Sequence, residues 1–225
     1  MKKVLLQLAM DGAYNGRTVS EAVNIIKSGV YDYVDIIEIG SSMIYRWGMS
    51  GVLEMKKAFP DKVILADMKI MDGGTGAATM ACQLGADIVT VMGITHKETI
   101  KNVNDAAHSL GARVMVDFMC IDKRNIKETI EFCESINVDY ICSHYAVDKQ
   151  AHNDNDDCLN IIAANLNKSK LAIAGGITAE NVENVLSYGP EIVISGKGIY
   201  GTENPTNASK KLKDKIIHWE QHYGK

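Results

Sequence analysis

Asp67-x-Lys69-x-x-Asp72 is the stretch of this chain best equipped for chemistry. In an extended segment, alternation sends Asp67 and Lys69 to the same side, with Asp72 on the loop beyond. An ammonium flanked by two carboxylates is held protonated and oriented. It can then neutralise a developing oxyanion or deliver a proton. Three more acids, Asp11, Glu38 and Asp117, stand in or just after apolar runs, and His144 closes another. Glu38 and Asp67 belong to neighbouring runs. Two carboxylates in one polar mouth suit Mg²⁺, which takes hard oxygen ligands and keeps several waters. No His/Cys cluster suggests zinc. His144 is the one group of this set whose side chain ordinarily titrates near neutrality, so it leads as the proton-transfer group. Gly175-Gly176 and Ser195-Gly196-Lys197-Gly198 follow two further runs. Glycines there let backbone N–H groups approach an anion, and Lys197 adds charge, which points to a phosphate. Singly, each residue has an ordinary reading as a turn, an interior ion pair or a core histidine. Their joint placement at run ends favours a site.

The runs themselves are short and apolar: Val4–Met10, Val34–Ile39, Val63–Ala66, Ile88–Met92, Val114–Phe118, Tyr140–Cys142, Leu171–Ala174 and Ile192–Ile194. Each is too short for a helix, and β-branched residues are common in them, which predicts strands covered on both faces. Amphipathic segments lie between: Val19–Ile26, a stretch around Val52–Lys57, Ala77–Leu84, Thr99–Leu110, Ile126–Ser135, Cys158–Leu166, Ala179–Leu186 and Ala208–Trp219. Thr18 or Ser20, and Thr178 with Asn181, mark helix starts, while Gly85 and Gly111 mark stops. Eight βα units predict an α/β protein, a closed (β/α)8 TIM barrel that occupies residues 1–225 as one domain. The competing open doubly wound sheet normally carries a Gly-rich fingerprint after its first strand, and Asp11-Gly12-Ala13 is not one. In a barrel, the strands' C-terminal ends build the active site, and those are the positions occupied by Asp11, Glu38, Asp67, Asp117, His144 and the glycine pairs.

Composition narrows the class. The chain has 225 residues, 46% hydrophobic and 23% charged, with a net charge of −4. That length buries about 70–75% of the unfolded chain's surface, so no disulfide staples are needed. A mild acidic balance argues against nucleic-acid binding. No uncharged apolar stretch reaches the ~18 residues of a membrane span. The five cysteines are never spaced C-x-x-C and read as reduced, mostly buried thiols of a cytoplasmic protein.

Three segments, Leu6-Gln7-Leu8-Ala9-Met10-Asp11, Asp35-Ile36-Ile37-Glu38-Ile39-Gly40 and Val63–Asp72, taken in order, resemble the orotidine monophosphate decarboxylase suprafamily. The likeness continues through Gly85–Val91, Tyr140–His144 and Ala172–Ile177, so it spans nearly the whole chain. Within the suprafamily the match is to the branch that holds 3-hexulose-6-phosphate synthase and 3-keto-L-gulonate-6-phosphate decarboxylase. The resemblance implies a homodimer of barrels in which Asp72 reaches the partner's site. It implies Mg²⁺ on Glu38 and Asp67, with Lys69 near the reacting oxygens of a sugar phosphate. It also implies a 1,2-enediolate, formed either by proton removal before aldol addition or by loss of CO₂. On that footing Asp11 and Asp117 orient substrate hydroxyls, and Gly175, Gly176, Gly196 and Lys197 hold the phosphate.

Three positions separate the two activities. Asp117 stands where the decarboxylase has Glu, Val147 where it has Arg, and Ala174 where it has Thr; all three lean toward the aldolase. Other positions depart from both. The first loop, Asp11–Arg17, is longer than the family's. Ser41–Gly48 replaces a Thr-Pro stretch, and its Arg46-Trp47 is expected to reshape the pocket or the dimer contact. Ala151–Asp157 is polar where a Gly-containing loop is common, and Lys197 replaces an Arg that could bind phosphate bidentately.

Overall fold

A computed structural model of the chain describes residues 3–145 and 157–224. Val147, Lys149 and residues 151–156 lie outside the described residues, so of the 151–157 segment only Asp157 is described. In chain order the first elements are β1 (Leu5–Met10), α1 (Val19–Lys27), β2 (Ile36–Ile39), α2 (Ser41–Trp47), α3 (Ser50–Ala58), β3 (Val63–Ile70) and α4 (Gly74–Gln83). There follow β4 (Ile88–Met92), α5 (Lys97–Ser109), β5 (Arg113–Asp117), α6 (Ile126–Ser135), β6 (Tyr140–His144) and α7 (Asp157–Asn165). The last are β7 (Lys170–Ala174), α8 (Val182–Leu186), β8 (Ile192–Ser195), α9 (Lys197–Tyr200) and α10 (Pro205–Tyr223).

All neighbouring strands pair in parallel in the order β1 to β8, and β8 returns to β1 with Leu5 opposite Ile192 and Leu8 opposite Ser195. That last pairing removes both sheet edges and rules out the open doubly wound alternative. The eight strands are the eight apolar runs. Alternation along each splits their side chains between two cores. Ile36, Leu65, Ile88, Met115, Tyr140, Cys142, Ala172 and Ile192 fill the barrel interior. Leu6, Leu8, Ile37, Ile39, Ile64, Val89 and Val116 face outward against the helices. Burial on both faces explains why the strands are apolar throughout, unlike a half-exposed sheet.

Most helix starts and stops follow local chemistry. Thr18 caps α1 by accepting from the Glu21 N–H at 3.1 Å, while the Glu21 carboxylate accepts from the Thr18 N–H at 2.7 Å. Several expectations change. β3 runs on through Ile70, four residues past the apolar run. α8 begins at Val182, because Thr178–Asn181 forms a turn closed by the Thr178 N–H on Asn181 Oδ1 at 2.9 Å. Helices α2 and α9 went unpredicted, since each is short and lies in a loop region. All five cysteines are free, but only Cys133 and Cys142 are buried, and Cys120 is exposed. No helix among the described residues is long and apolar enough to cross a membrane.

Candidate active site

The site sits where the interior side chains of the strands turn polar. Period-two alternation carries Ile36 to Glu38, Leu65 to Asp67, Met115 to Asp117 and Cys142 to His144, each pair on one inner face. Register makes Ala9 the β1 neighbour of Glu38 and Ala174 the β7 neighbour of His144. These two small side chains leave room above the apolar interior. The result is a cavity of about 1830 Å³ at the C-terminal mouth, lined by Asp11, Glu38, Asp67, Lys69, Asp117, His144 and the β7 and β8 loops.

Lys69 is the hub. Its Nζ lies 2.5 Å from Asp67 Oδ2 and 3.7 Å from Asp117 Oδ2. Simple alternation does not produce this geometry. The β3–β4 register slips between Ala66 and Ile70, and Lys69 takes φ +45°, a left-handed conformation rare outside glycine. The Lys69 N–H donates to Thr90 Oγ1 at 2.9 Å, which anchors the bulge. The second flanking carboxylate is therefore Asp117 on β5, not Asp72. Asp72 is exposed, accepts from the Gly73 N–H and does not line the cavity of its own chain. Burial opposes the charge on Lys69, but Asp67 and Asp117 outweigh it and hold the ammonium above the usual lysine range.

Asp117 is spoken for on both oxygens. Oδ2 meets His144 Nδ1 at 2.8 Å, and Oδ1 accepts from the Met119 N–H at 2.8 Å. These contacts tie it to His144 and Lys69 while it still lines the cavity. Burial would raise its carboxyl, but His144, Lys69 and the Met119 N–H together hold it below the usual aspartate range. An aspartate on Nδ1 fixes the imidazole and turns Nε2 toward chemistry.

Glu38 is the opposite case. Burial first, then the neighbouring Asp67 and Asp11, raises its carboxyl well above the usual range. Its Oε2 accepts from Gln7 Nε2 at 2.5 Å. Asp11 accepts from Ser42 Oγ at 2.7 Å and sits against Gly40, where any Cβ would collide with the carboxylate. Asp67 takes Ser41 Oγ on Oδ2 at 2.6 Å and Thr90 Oγ1 on Oδ1 at 2.9 Å. Gln7, Ser41, Ser42 and Thr90 are thus parts of the site that motif reading missed. Gln7 and Thr90 left a trace, being hydrogen-bonding side chains inside apolar runs.

The donor chemistry fits a hydrated hard cation. Four carboxylates line one cavity, two of them on the Lys69 ammonium, and Glu38 resists its charge because it is buried beside Asp67 and Asp11. Gln7 Oε1 is buried with no partner. Among the described residues no three acidic, His or Cys side chains converge as a closed metal cage. Mg²⁺ requires only one or two carboxylates beside its waters. Glu38 and Asp67 are the pair that would hold it.

Gly175, Gly176, Gly196 and Lys197 line the opposite side of the mouth. Gly175 holds φ +115°, and a Cβ there would come within 2.7 Å of the Tyr145 side chain. Arg46 and Trp47 act on the first loop: Arg46 Nη1 donates to the Ala13 carbonyl at 3.3 Å and Trp47 Nε1 to the Arg17 carbonyl at 3.0 Å. Arg17 in turn lies 4.5 Å above the Tyr200 ring and closes the wall beside the β8 loop. The two sequence departures are one structural unit.

Residues 5–212 match the family model described as orotidine 5'-phosphate decarboxylase / HUMPS. The chain belongs to that family. It is 35% identical over 213 residues to 3-hexulose-6-phosphate synthase of Bacillus subtilis (strain 168), covering 94% of this chain and 98% of the relative. A solved 3-hexulose-6-phosphate synthase from Salmonella typhimurium superposes with a TM-score of 0.89 at 33% identity, covering 96% of this chain and 99% of that one. The 3-keto-L-gulonate-6-phosphate decarboxylase of Vibrio cholerae has the same fold, with a TM-score of 0.81 at 24% identity, covering 96% of this chain and 98% of that one.

Proposed function

We propose that the protein is a Mg²⁺-dependent lyase of the aldolase type, joining formaldehyde to ribulose 5-phosphate to give a hexulose 6-phosphate, reversibly. The observation that carries this reading is the Asp67–Lys69–Asp117–His144 chain of contacts beside the buried Glu38. It places a fixed cation and an oriented imidazole in one cavity. The names of the 33–35% identical relatives support the same substrate class.

When bound by Glu38 and Asp67, Mg²⁺ supplies Lewis-acid polarisation of the substrate carbonyl and its neighbouring hydroxyl. His144 Nε2 takes the proton from the carbon beside the carbonyl while Asp117 holds Nδ1 and stabilises the imidazolium. Lys69 stays protonated and offsets the negative charge that spreads over the two enediolate oxygens. Asp11, fixed by Ser42, orients a substrate hydroxyl. The Gly175-Gly176 and Gly196-Lys197 loops hold the phosphate and supply binding energy remote from the reacting carbons.

Two copies of the chain form the working unit in this reading, with Asp72 contributed across the contact. Its exposure fits that role, as do the exposed Met71 and Ile94 on the adjoining loops. Sedimentation of the purified chain tests the dimer. The function is tested with D-arabino-3-hexulose 6-phosphate and Mg²⁺, which should release formaldehyde. Faster release of CO₂ from 3-keto-L-gulonate 6-phosphate would assign the decarboxylase activity instead.

A further inference from the structure

Two buried side-chain polar atoms lack a partner among the described residues, Gln7 Oε1 and Asn104 Oδ1. Only Gln7 belongs to the cavity. Its side chain is fully buried on β1, beside Ile36 on β2 and Ile194 on β8, at the upper edge of the apolar barrel interior. An amide serving only to fill the barrel would be cheaper as a Leu or Met. An amide serving only to brace Glu38 would still leave its oxygen stranded. Buried acceptors are nearly always satisfied, so an orphan at the floor of a site marks a missing donor.

The amide's orientation follows from its neighbour. A Glu38 that holds a cation can only accept, so Gln7 presents Nε2 to it, the orientation of the 2.5 Å contact. The oxygen is then forced to the other side. We propose that Gln7 is a positioning residue for the cation, fixing Glu38 through Nε2 and accepting through Oε1 a hydrogen bond from the water shell that enters with Mg²⁺. This rests on Glu38 and Asp67 being the cation's ligands. One side chain would thereby couple the ligand's orientation to the filling of its shell. That coupling matches the usual dependence of metal affinity on groups outside the direct ligands, typically 10–100-fold.

Calorimetric titration of the metal-free full chain with MgCl₂ reads the role without turnover. Wild type is expected to bind Mg²⁺, and Gln7→Met to bind it at least tenfold more weakly. Thermal melts of both proteins, with and without Mg²⁺, separate this from general damage. Without Mg²⁺ the variant should melt within a few degrees of wild type, because the stranded acceptor leaves with the amide. With Mg²⁺ it should gain less than wild type does. Should Gln7→Met not fold, Gln7→Asn, which keeps the amide but withdraws it by one methylene, makes the same comparison. Equal Mg²⁺ affinity and equal Mg²⁺-induced shifts overturn the role of Gln7 and leave the cation site standing. A wild-type chain that binds no Mg²⁺ overturns the cation site and the role of Gln7 together.

Discussion

Aspartates ring both ends of this barrel, and the two rings are built on opposite principles. At the N-terminal end, Asp35, Asp87 and Asp139 each precede a strand. Each accepts a backbone N–H from the strand before it: Leu6 at 2.9 Å, Ile64 at 2.8 Å and Val114 at 2.9 Å. Each also meets a helix side chain, Lys213 at 2.5 Å, Lys56 at 2.8 Å and His108 at 2.8 Å respectively. Every one of these acids is hydrogen-bonded locally at the barrel's rim. At the C-terminal end, Asp67 and Asp117 share the ammonium of Lys69, Asp11 is held by Ser42, and Glu38 is left resisting its own charge. The first arrangement closes its electrostatics within the chain; the second leaves negative charge unanswered and open to a ligand. That matches the division of labour in (β/α)8 barrels, with stability at the bottom and chemistry at the top.

The comparison breaks most readily at Lys69. Replacing it with Met removes the cation shared by Asp67 and Asp117 and, in the proposed reaction, the group that offsets enediolate charge. The expected outcome is a fall in kcat of about 10³-fold, of the size seen when an oxyanion donor is lost. Formaldehyde release from the hexulose phosphate measures it, and melting curves show how much protein remains folded. Near-normal turnover by Lys69→Met would remove Lys69 from the chemistry.

The dyad comes next. His144→Gln and Asp117→Asn should each lower kcat by about 10²-fold, the lower range for general acid–base catalysis. If Asp117 acts chiefly by orienting His144, with its 3.7 Å contact to Lys69 secondary, the double variant should be little worse than the worse single one. Multiplicative losses in the double variant would mean that the two residues work separately.

The lower ring should respond in the other currency. Asp139→Ala strands the Val114 N–H and releases His108, which should lower unfolding stability by about 2 kcal/mol. The kcat of the folded enzyme should not move. Urea denaturation read beside steady-state kinetics checks both halves, and a kcat loss without a stability loss would collapse the distinction between the rings.

Strand direction is what separates the two rings. Apolar runs with acids before them and acids after them can be ordered only if the strands are parallel and the barrel closes. Once that is accepted, Glu38, Asp67, Asp117 and His144 must share the mouth. Period-two alternation placed them correctly because β2, β5 and β6 are regular. It failed as an explanation at Lys69, where a register slip and a left-handed backbone do the placing. Such a slip depends on Thr90, a residue on another strand, so no local pattern announces it. For the same reason the carboxylate beside Lys69 within one chain is Asp117, distant in sequence, and not the nearby Asp72. Hydrogen-bonding side chains drawn from the next element, Ser41 for Asp67 and Ser42 for Asp11, were equally invisible, since they lie on α2, which is too short to leave a periodic signal.

The mildest test concerns the one acid that the fold does not satisfy. Glu38 is desolvated beside Asp67 and Asp11, and its folded-state pKa lies above its unfolded one. A raised carboxyl means that protonation favours the folded state. Its contribution is fully present below the unfolded value, about 4.3, and is lost as pH rises through the folded value. At pH 8 without Mg²⁺, wild type therefore carries the cost of burying Glu38 beside two other acids, and Glu38→Gln does not. The variant should melt a few degrees higher there, at about 2–4 °C per kcal/mol regained in a chain of this size. The gap should shrink toward pH 4. Added Mg²⁺ should stabilise wild type alone and reverse the order, while the variant loses turnover. Asp139→Ala offers the contrast, since losing an acid whose charge is already answered should lower the melting temperature at pH 8 with or without Mg²⁺. A Glu38→Gln protein that melts lower than wild type at pH 8 in the absence of metal would show that the upper ring is as fully satisfied as the lower one.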